Sequence, residues 1–338
     1  MRFATYDDGS IDGRLFVVSR DQKCAASAAF IAPSLLSALQ RWRDVEAPLR
    51  RLSGDLDTGR IANAAPFAPE RCLAPLPRAP QWLDGSAFLN HVRLIERAFG
   101  TPPIPDFDTI PVMYQRASDD FLGPHAEVPF VDEQDGIDFE GEFGVVVDEV
   151  AMATGAEAAA ERIRLIVQIN DWSLRAIGAR EMLRGFGVLQ AKPSTSFAPV
   201  AVTPDELGEA WRNGRVAMNL HVELNGERIG SASGAEMAFS FPELIAHAAR
   251  TRRLRAGTII GSGTVSNADR AAGSSCLSEK RVIEKLDLGE ANTPFLEFGD
   301  RVVMEARFPD GRPGPFGRIN QRAVSPTPYD RQSETRNV

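Results

Sequence analysis

From Val216 to Leu224 apolar and polar positions alternate strictly, with Val216, Met218, Leu220, Val222 and Leu224 on one side and Ala217, Asn219, His221 and Glu223 on the other. Successive side chains of a strand point to opposite faces, so this stretch predicts a half-buried strand, with His221 on its polar face as a structural residue. The Asn225-Gly226 pair that follows suits the two positive-φ positions of a type I′ turn and predicts a hairpin. A second run, Gly136 to Val150 (GIDFEGEFGVVVDEV), reads as one strand with Phe139, Phe143, Val145 and Val147 on one face and Glu140 and Glu142 on the other. Shorter strands are predicted from Phe3 and at Arg14–Ser19, joined across the turn-rich Asp7–Gly13, and at 112–115, 197–202 and 301–306, and residues 258–266 read as a strand entering a glycine-serine loop.

Helical spacing marks other segments. Ser34 caps a helix through Leu35, Leu36, Leu39 and Trp42, and a second helix follows around Val45–Leu52. Asp84, Gly85 and Ser86 read as turn and cap for a helix over Ala87–Phe99, with His91 among its inward positions. An alanine-rich helix is expected from Thr154 or Gly155 through Ala156, Ala159, Ile163 and Ile166. The run ending at Ile169 reads either as the last turn of that helix or as a buried strand that delivers Asp171 to its tip. A capped helix is expected from Asp205, and another opens at Pro242, runs through Leu244, Ile245 and Ala248, and closes with the basic run Arg250–Arg255 and Gly257.

Five prolines between Pro66 and Pro80 make that stretch an extended connector. The expected organisation is a small N-terminal module over residues 1–80, a catalytic domain over 81–325, and a flexible tail over 326–338. The net charge of −8 argues against nucleic-acid binding, which needs a clustered basic face. Three scattered cysteines form neither a disulfide framework nor a zinc signature, which fits a reducing cytoplasm. With no long apolar run, a soluble protein without a membrane partner is expected.

Candidate chemistry gathers at a few positions. Two carboxylates side by side, Glu140 and Glu142, need a proton, a cation or open water; the bland alternative is a solvated edge strand. His91 is a candidate base or a satisfied core histidine. Asp171 stands at a candidate strand tip or in an ordinary Asn-Asp turn. Lys192, after the glycine-spaced Gly185–Lys192 segment, reads by itself as a snorkelling surface lysine. In the Gly261-Ser262-Gly263-Thr264 loop, backbone N–H groups and the Thr264 hydroxyl can hold a carboxylate, although a tight turn explains the pattern equally.

Taken together and in this order, DFEGEFGVVV (138–147), INDWSLR (169–175), Lys192, PVMYQRASDDFLGP (111–124), GSGTVSN (261–267) and FGDRVVMEA (298–306) resemble the fumarylacetoacetate hydrolase family over roughly residues 80–320. The resemblance implies an α+β, β-rich fold: a mixed β-roll or sandwich core with flanking helices and a small N-terminal module. It further implies one divalent cation per subunit, Mg2+ or Ca2+, held by Glu140, Glu142 and Asp171, with Asp84 as a fourth carboxylate seven residues before His91. His91, oriented by Glu279, is the implied base, and Lys192 stabilises developing negative charge. Tyr114 and Thr264 bind a small anionic dicarbonyl substrate, and homodimers are usual. Two departures stand out: Leu94 occupies the position where smaller acylpyruvate hydrolases carry a glutamate, and Gly178 stands where larger fumarylacetoacetases carry a glutamine. The implied activity is carbon–carbon hydrolysis, with fumarylacetoacetate in aromatic amino-acid catabolism as the expected substrate. The alternatives are a fumarylpyruvate or acylpyruvate hydrolase, a 2-oxo acid decarboxylase or isomerase, and an inactive metal-binding scaffold.

Overall fold

The computed structural model of the chain describes residues 1–99 and 104–326. At the N-terminus β1 (Arg2–Tyr6), β2 (Arg14–Val18) and β3 (Cys24–Ser27) form an antiparallel meander, whose first hairpin crosses the turn-rich Asp7–Gly13 as expected. The Ser34 hydroxyl caps α1 (Leu35–Gln40) by accepting from the Ser37 N–H. The helix expected through Trp42 breaks at Arg41, and α2 (Trp42–Asp57) starts immediately, with Trp42, Val45, Leu49, Leu52 and Leu56 on its buried stripe. The proline-rich stretch contains only β4 (Ala65–Pro66) and a 3-10 turn before β5 (Trp82–Gly85). Asp84 therefore stands inside a strand, where the local Asp-Gly-Ser pattern predicts a turn.

Next come α3 (Leu89–Phe99), β6 (Met113–Arg116), β7 (Val128–Pro129), β8 (Ile137–Asp138) and β9 (Gly141–Val147). The single strand expected over 136–150 is thus two: β8 pairs with another segment, and Glu140 lies in the break between them. The alanine-rich helix stops early, as α4 (Ala156–Ala160), and the β-branched run becomes β10 (Ile163–Asn170). Local propensity allowed either form; β10 is a strand because it lies between neighbours with both faces covered.

β11 (Ser173–Leu174) pairs with β8, and α5 (Arg175–Arg184) follows without a buried residue; this helix has no strong sequence pattern. β12 (Ser196–Phe197) and β13 (Ala201–Val202) divide the strand expected over 197–202. The helix expected from Asp205 is a 3-10 segment, Pro204–Ala210, interrupted by Gly208 at φ 54°. After the short ribbon β14 (Trp211–Arg212) and β15 (Arg215–Val216), the predicted hairpin is β16 (Asn219–Leu224) and β17 (Glu227–Ser233). Asn225 and Gly226 take φ values of 53° and 86° at its turn. A Ser240/Glu243 capping box opens α6 (Phe241–Ala248); the basic run lies beyond the helix end. β18 (Ile259–Gly261), α7 (Leu277–Leu288), β19 (Arg301–Arg307) and β20 (Pro313–Val324) complete the described chain. Most of the tail expected over 326–338 lies outside the described residues.

Eleven strands make one mixed sheet whose main path runs β4-β3-β2-β1-β13-β10-β9-β18-β5-β6, with β12 also on β10. The N-terminal meander continues this sheet through the β1–β13 pairing. A second sheet has the order β17-β16-β19-β20-β7. Between the sheets, Phe143, Val145, Ile166, Leu220, Met304 and Phe316 belong to one buried cluster. A second cluster joins α1 and α2 to Val146, Leu165, Val167 and Ile169. The architecture is α+β, of mixed sheets with flanking helices. β9 is thereby buried along its whole length, which removes the solvated-edge reading of Glu142.

Candidate active site

The site is built where four strands run side by side in the order β10-β9-β18-β5. Asp84 on β5 faces Gly261 on β18, and Gly261 faces Gly144 on β9. Glycine is required at 261: a Cβ there would come within 2.2 Å of the Trp82 ring and 2.6 Å of Asp84 Oδ1. The absence of that side chain leaves room for carboxylates to converge. Glu142 comes from β9, two residues before Gly144 and on the same face, and Asp171 follows the end of β10. Carboxylate oxygens of Asp84, Glu142 and Asp171 lie within 4.8 Å of one another, and all three residues are buried.

Their partners differ sharply. Asp171 accepts from the Thr195 hydroxyl at 2.9 Å and from Lys192 Nζ at 2.8 Å, and it also contacts Arg116 Nη2. Asp84 accepts from the Gly263 N–H at 3.2 Å and lies 3.6 Å from Arg116 Nη2. Neither oxygen of Glu142 has a hydrogen-bond partner among the described residues. Burial pushes the Glu142 carboxyl well above the usual carboxylate range, and Asp84 and Glu140 push it further. Asp84 is also raised, by burial acting against the attraction of Arg116 and Lys192. A buried, unpartnered carboxylate beside two others is stable only with a proton or a cation, and an all-oxygen set fits a hard divalent ion. These residues therefore fit a divalent metal.

Glu140 stands apart from that triad. One of its oxygens is 2.7 Å from Arg175 Nη1 and the other 2.7 Å from Lys192 Nζ. Burial alone would raise its carboxyl, but Lys192, Arg175 and Arg116 outweigh it and hold the group well below the usual range. The strand break falls at Glu140, so Glu140 and Glu142 do not belong to one continuous strand as expected. Lys192 is no surface residue: its side chain is 12% exposed and its ammonium lies between Glu140 and Asp171. Burial, with the nearby Arg116 charge, lowers it to about 8.

His91 lies on α3 and Glu279 on α7, and His91 Nδ1 is 2.7 Å from Glu279 Oε2. A carboxylate acceptor at Nδ1 holds the ring with Nδ1 protonated and leaves Nε2 as the free base. Leu94 removes the local glutamate, and Glu279 supplies the carboxylate from a distant helix instead. The Asn90 side chain donates to Ser266 Oγ at 2.9 Å and to the Asn267 carbonyl at 2.8 Å. The helix carrying His91 is thereby tied to the loop that holds Asp84. In that loop Gly263 has φ +74°, and a Cβ would meet the Gly85 carbonyl at 2.3 Å. Thr264 is buried in the same loop. Tyr114 is partly exposed, pairs with Asp84 across β5 and β6, and has the Arg116 guanidinium 5.2 Å from its ring centre. Burial and the Asp84 charge push its phenol up, so it keeps its proton.

Arg116 and Arg175 lie inside two of the recognised motifs but carry no sequence mark as site residues. For Arg116 there was a usable signal: it is two residues from Tyr114 on one strand, and so shares its face. Among the described residues Arg116 Nε and Nη1 and Arg175 Nη2 are buried without hydrogen-bond partners, so each guanidinium keeps donors free. Gly178 lies on α5 and contributes no side chain to this cluster.

Residues 81–323 match the family profile described as fumarylacetoacetate (FAA) hydrolase C-terminal, and residues 1–78 match fumarylacetoacetase N-terminal domain 2. The chain belongs to the fumarylacetoacetate hydrolase family. It is 29% identical over 165 residues to 2,4-didehydro-3-deoxy-L-rhamnonate hydrolase of a Sphingomonas species, covering 48% of this chain and 54% of that one. It is 30% identical over 131 residues to oxaloacetate tautomerase YisK of Bacillus subtilis, covering 38% and 41%. The matched regions thus span about half the length of these relatives. Among solved structures, maleylpyruvate hydrolase from Sphingobium sp. SYK-6 in complex with manganese (II) ion and pyruvate shares the fold. Its TM-score is 0.63 at 14% identity, over 97% of this chain and 100% of that one.

Proposed function

We propose that the chain is a metal-dependent hydrolase that cleaves a carbon–carbon bond in a β-diketo or acylpyruvate-type acid, with fumarylacetoacetate as the first substrate to test. One observation carries this reading: the unpartnered Glu142 carboxylate converges with Asp84 and Asp171, which Arg116 and Lys192 contact, while Arg175 joins Lys192 through Glu140. Carboxylates suit a hard cation, Mg2+ or Ca2+, and the cations suit a substrate that is itself anionic. When bound, the divalent ion supplies Lewis acidity toward substrate oxygens and neutralises developing charge.

The chain's own residues supply the rest. His91, held through Nδ1 by Glu279, takes at Nε2 a proton from water attacking a substrate carbonyl. Lys192, lowered to about 8, remains largely charged near neutrality and stabilises the enolate or oxyanion that develops as the bond breaks. Arg116 and Arg175 present their free donors to substrate carboxylate or carbonyl oxygens. Tyr114 donates its retained proton in a hydrogen bond, and loop N–H groups with Thr264 receive the distal carboxylate. A second reading, tautomerisation of a 2-oxo acid, uses the same groups without water attack. The similarity to an oxaloacetate tautomerase supports it.

The test follows loss of fumarylacetoacetate and of fumarylpyruvate by absorbance, with chelator-stripped protein reloaded with Mg2+, Ca2+ or Mn2+. Cleavage by the wild type and its loss in His91→Ala and Glu142→Ala are the expected results. No turnover of any acylpyruvate, or full activity in both variants, overturns the hydrolase reading. Faster enol–keto exchange of oxaloacetate without cleavage establishes the tautomerase instead.

A further inference from the structure

Asp138 is fully buried and faces neither the metal triad nor the His91–Glu279 pair directly, yet it ties together the segments that carry both. Its Oδ1 accepts from the N–H groups of Phe139 and Leu277, each at 2.8 Å. Its Oδ2 accepts from the Ser278 N–H at 2.8 Å and from Arg175 Nε at 2.9 Å. Four donors thus saturate one carboxylate. Leu277 and Ser278 are the first two residues of α7, a 12-residue helix, so the charge sits where the helix N-terminus favours an anion and two amides lack intrahelical partners. Glu279 is the next residue of that helix, and its own N–H bonds the Cys276 sulfur at 3.3 Å.

Each group so anchored ends in a free, buried atom. Arg175 gives Nε to Asp138 and Nη1 to Glu140, which leaves Nη2 without a partner. Glu279 gives Oε2 to His91, which leaves Oε1 without one. Buried donors and acceptors are rarely left unsatisfied; here one belongs to the guanidinium that donates to Asp138, and the other to the residue that follows the two helix amides donating to Asp138. We propose that Asp138 is a positioning residue: it sets the height and rotation of α7's first turn so that Glu279 orients the His91 ring, and in the same act fixes the Arg175 fork beside Glu140. Preorganised groups need such support, because displacements near 1 Å at catalytic groups cost on the order of 100-fold in rate.

The activity arm of the test rests on the hydrolase reading above; the spectroscopic arm does not. In the full-length, metal-loaded protein, the Nδ1–H proton of His91 should give a downfield NMR resonance that disappears in His91→Ala and Glu279→Gln. Asp138→Asn sets an amide NH2 against the Ser278 N–H or Arg175 Nε–H, donor facing donor. It should abolish or broaden that resonance while melting stays cooperative. If a dicarbonyl substrate turns over, kcat falls about 10- to 100-fold with KM changed less than about threefold. In a Glu279→Gln background, the same change should cost several-fold less than in the wild type, because the route through Glu279 is already cut and only the contribution through Arg175 remains. Ser278→Pro removes one helix amide from Asp138 at a first-turn position that tolerates proline, without touching the Arg175 pair. It should shift the resonance and lower kcat several-fold, and it carries the test if Asp138→Asn does not fold. An unchanged His91 resonance in the folded variants, or equal losses in the wild-type and Glu279→Gln backgrounds, overturns the proposal. Absence of turnover in the wild type overturns only the functional reading, and leaves the resonance to decide the role of Asp138.

Discussion

Two regions of this molecule hold a histidine beside a carboxylate, and they differ in what is left over. On the second sheet, His221 faces Ser231 on one neighbour and Glu305 on the other, with Ser231 Oγ 3.0 Å from His221 Nε2. The residue types and spacing suggest a nucleophile, a base and an acid. Arg307 Nε and Arg318 Nε, however, each lie 2.7 Å from Glu305 and satisfy it. Burial and the Arg307 charge hold His221 below its ordinary value, which removes any ion-pair demand on Glu305. Around His91 the balance is reversed. Glu279 Oε1, Arg175 Nη2, two Arg116 nitrogens and both oxygens of Glu142 are buried without hydrogen-bond partners among the described residues. The two regions differ in surplus hydrogen-bonding capacity and desolvated charge, and residue identity alone does not separate them.

The strongest way to break this contrast is at Glu142. Glu142→Gln should weaken metal binding by more than about 100-fold by calorimetry, since it removes a ligand rather than its support, and activity should fall with it. The same change should raise the melting temperature of the metal-free protein by a few degrees, because it removes a buried carboxylate that nothing compensates. A metal-free variant less stable than the wild type would show that Glu142 is satisfied after all. His91→Ala follows, with an expected loss in kcat of about 10²- to 10⁴-fold and metal affinity within about threefold. Parallel loss of metal affinity would place the imidazole among the ligands.

A third prediction concerns pH. Glu142 and Asp84 are both raised, so each keeps a proton above the usual carboxylate range and the metal must displace it. Metal affinity should therefore rise with pH, by up to about tenfold per unit for each proton displaced. The linked sign for stability is fixed by the same shift. The metal-free protein gains stability from protonated Glu142 below the ordinary glutamate range, and loses it as pH rises through the raised value. Titration by calorimetry and melting curves check both, and a pH-independent affinity would contradict the protonated state. The smallest effects belong to the other region: His221→Ala and Ser231→Ala should leave activity and metal affinity within about twofold. A tenfold loss from either would erase the contrast drawn above.

Much of the local structure is legible without coordinates. The hairpin at 219–233 follows from strict alternation and Asn225-Gly226, and α1 and α6 follow from Ser34 and from Pro242. Segments with two allowed readings were decided elsewhere. Ile163–Asn170 is a strand because β9 and β13 flank it, and Trp82–Gly85 is a strand because β18 and β6 do. Propensity scores neighbours along the chain and has no access to neighbours across a sheet.

The same division runs through the site. Residue order and motif content determined the family and the α+β class, and they singled out the candidate acids, histidine and lysine: Asp84, Glu140, Glu142, Asp171, His91 and Lys192. Tertiary structure alone decided their company. Glu140 and Glu142 are two residues apart, yet one is held by two cations and the other has no hydrogen-bond partner among the described residues; the arrival of Arg175 and Lys192 at Glu140 makes that difference. The reason is physical: period and turn chemistry act over a few residues and are written locally. Desolvation and charge pairing depend on which distant segments pack together, and only the folded chain brings those together.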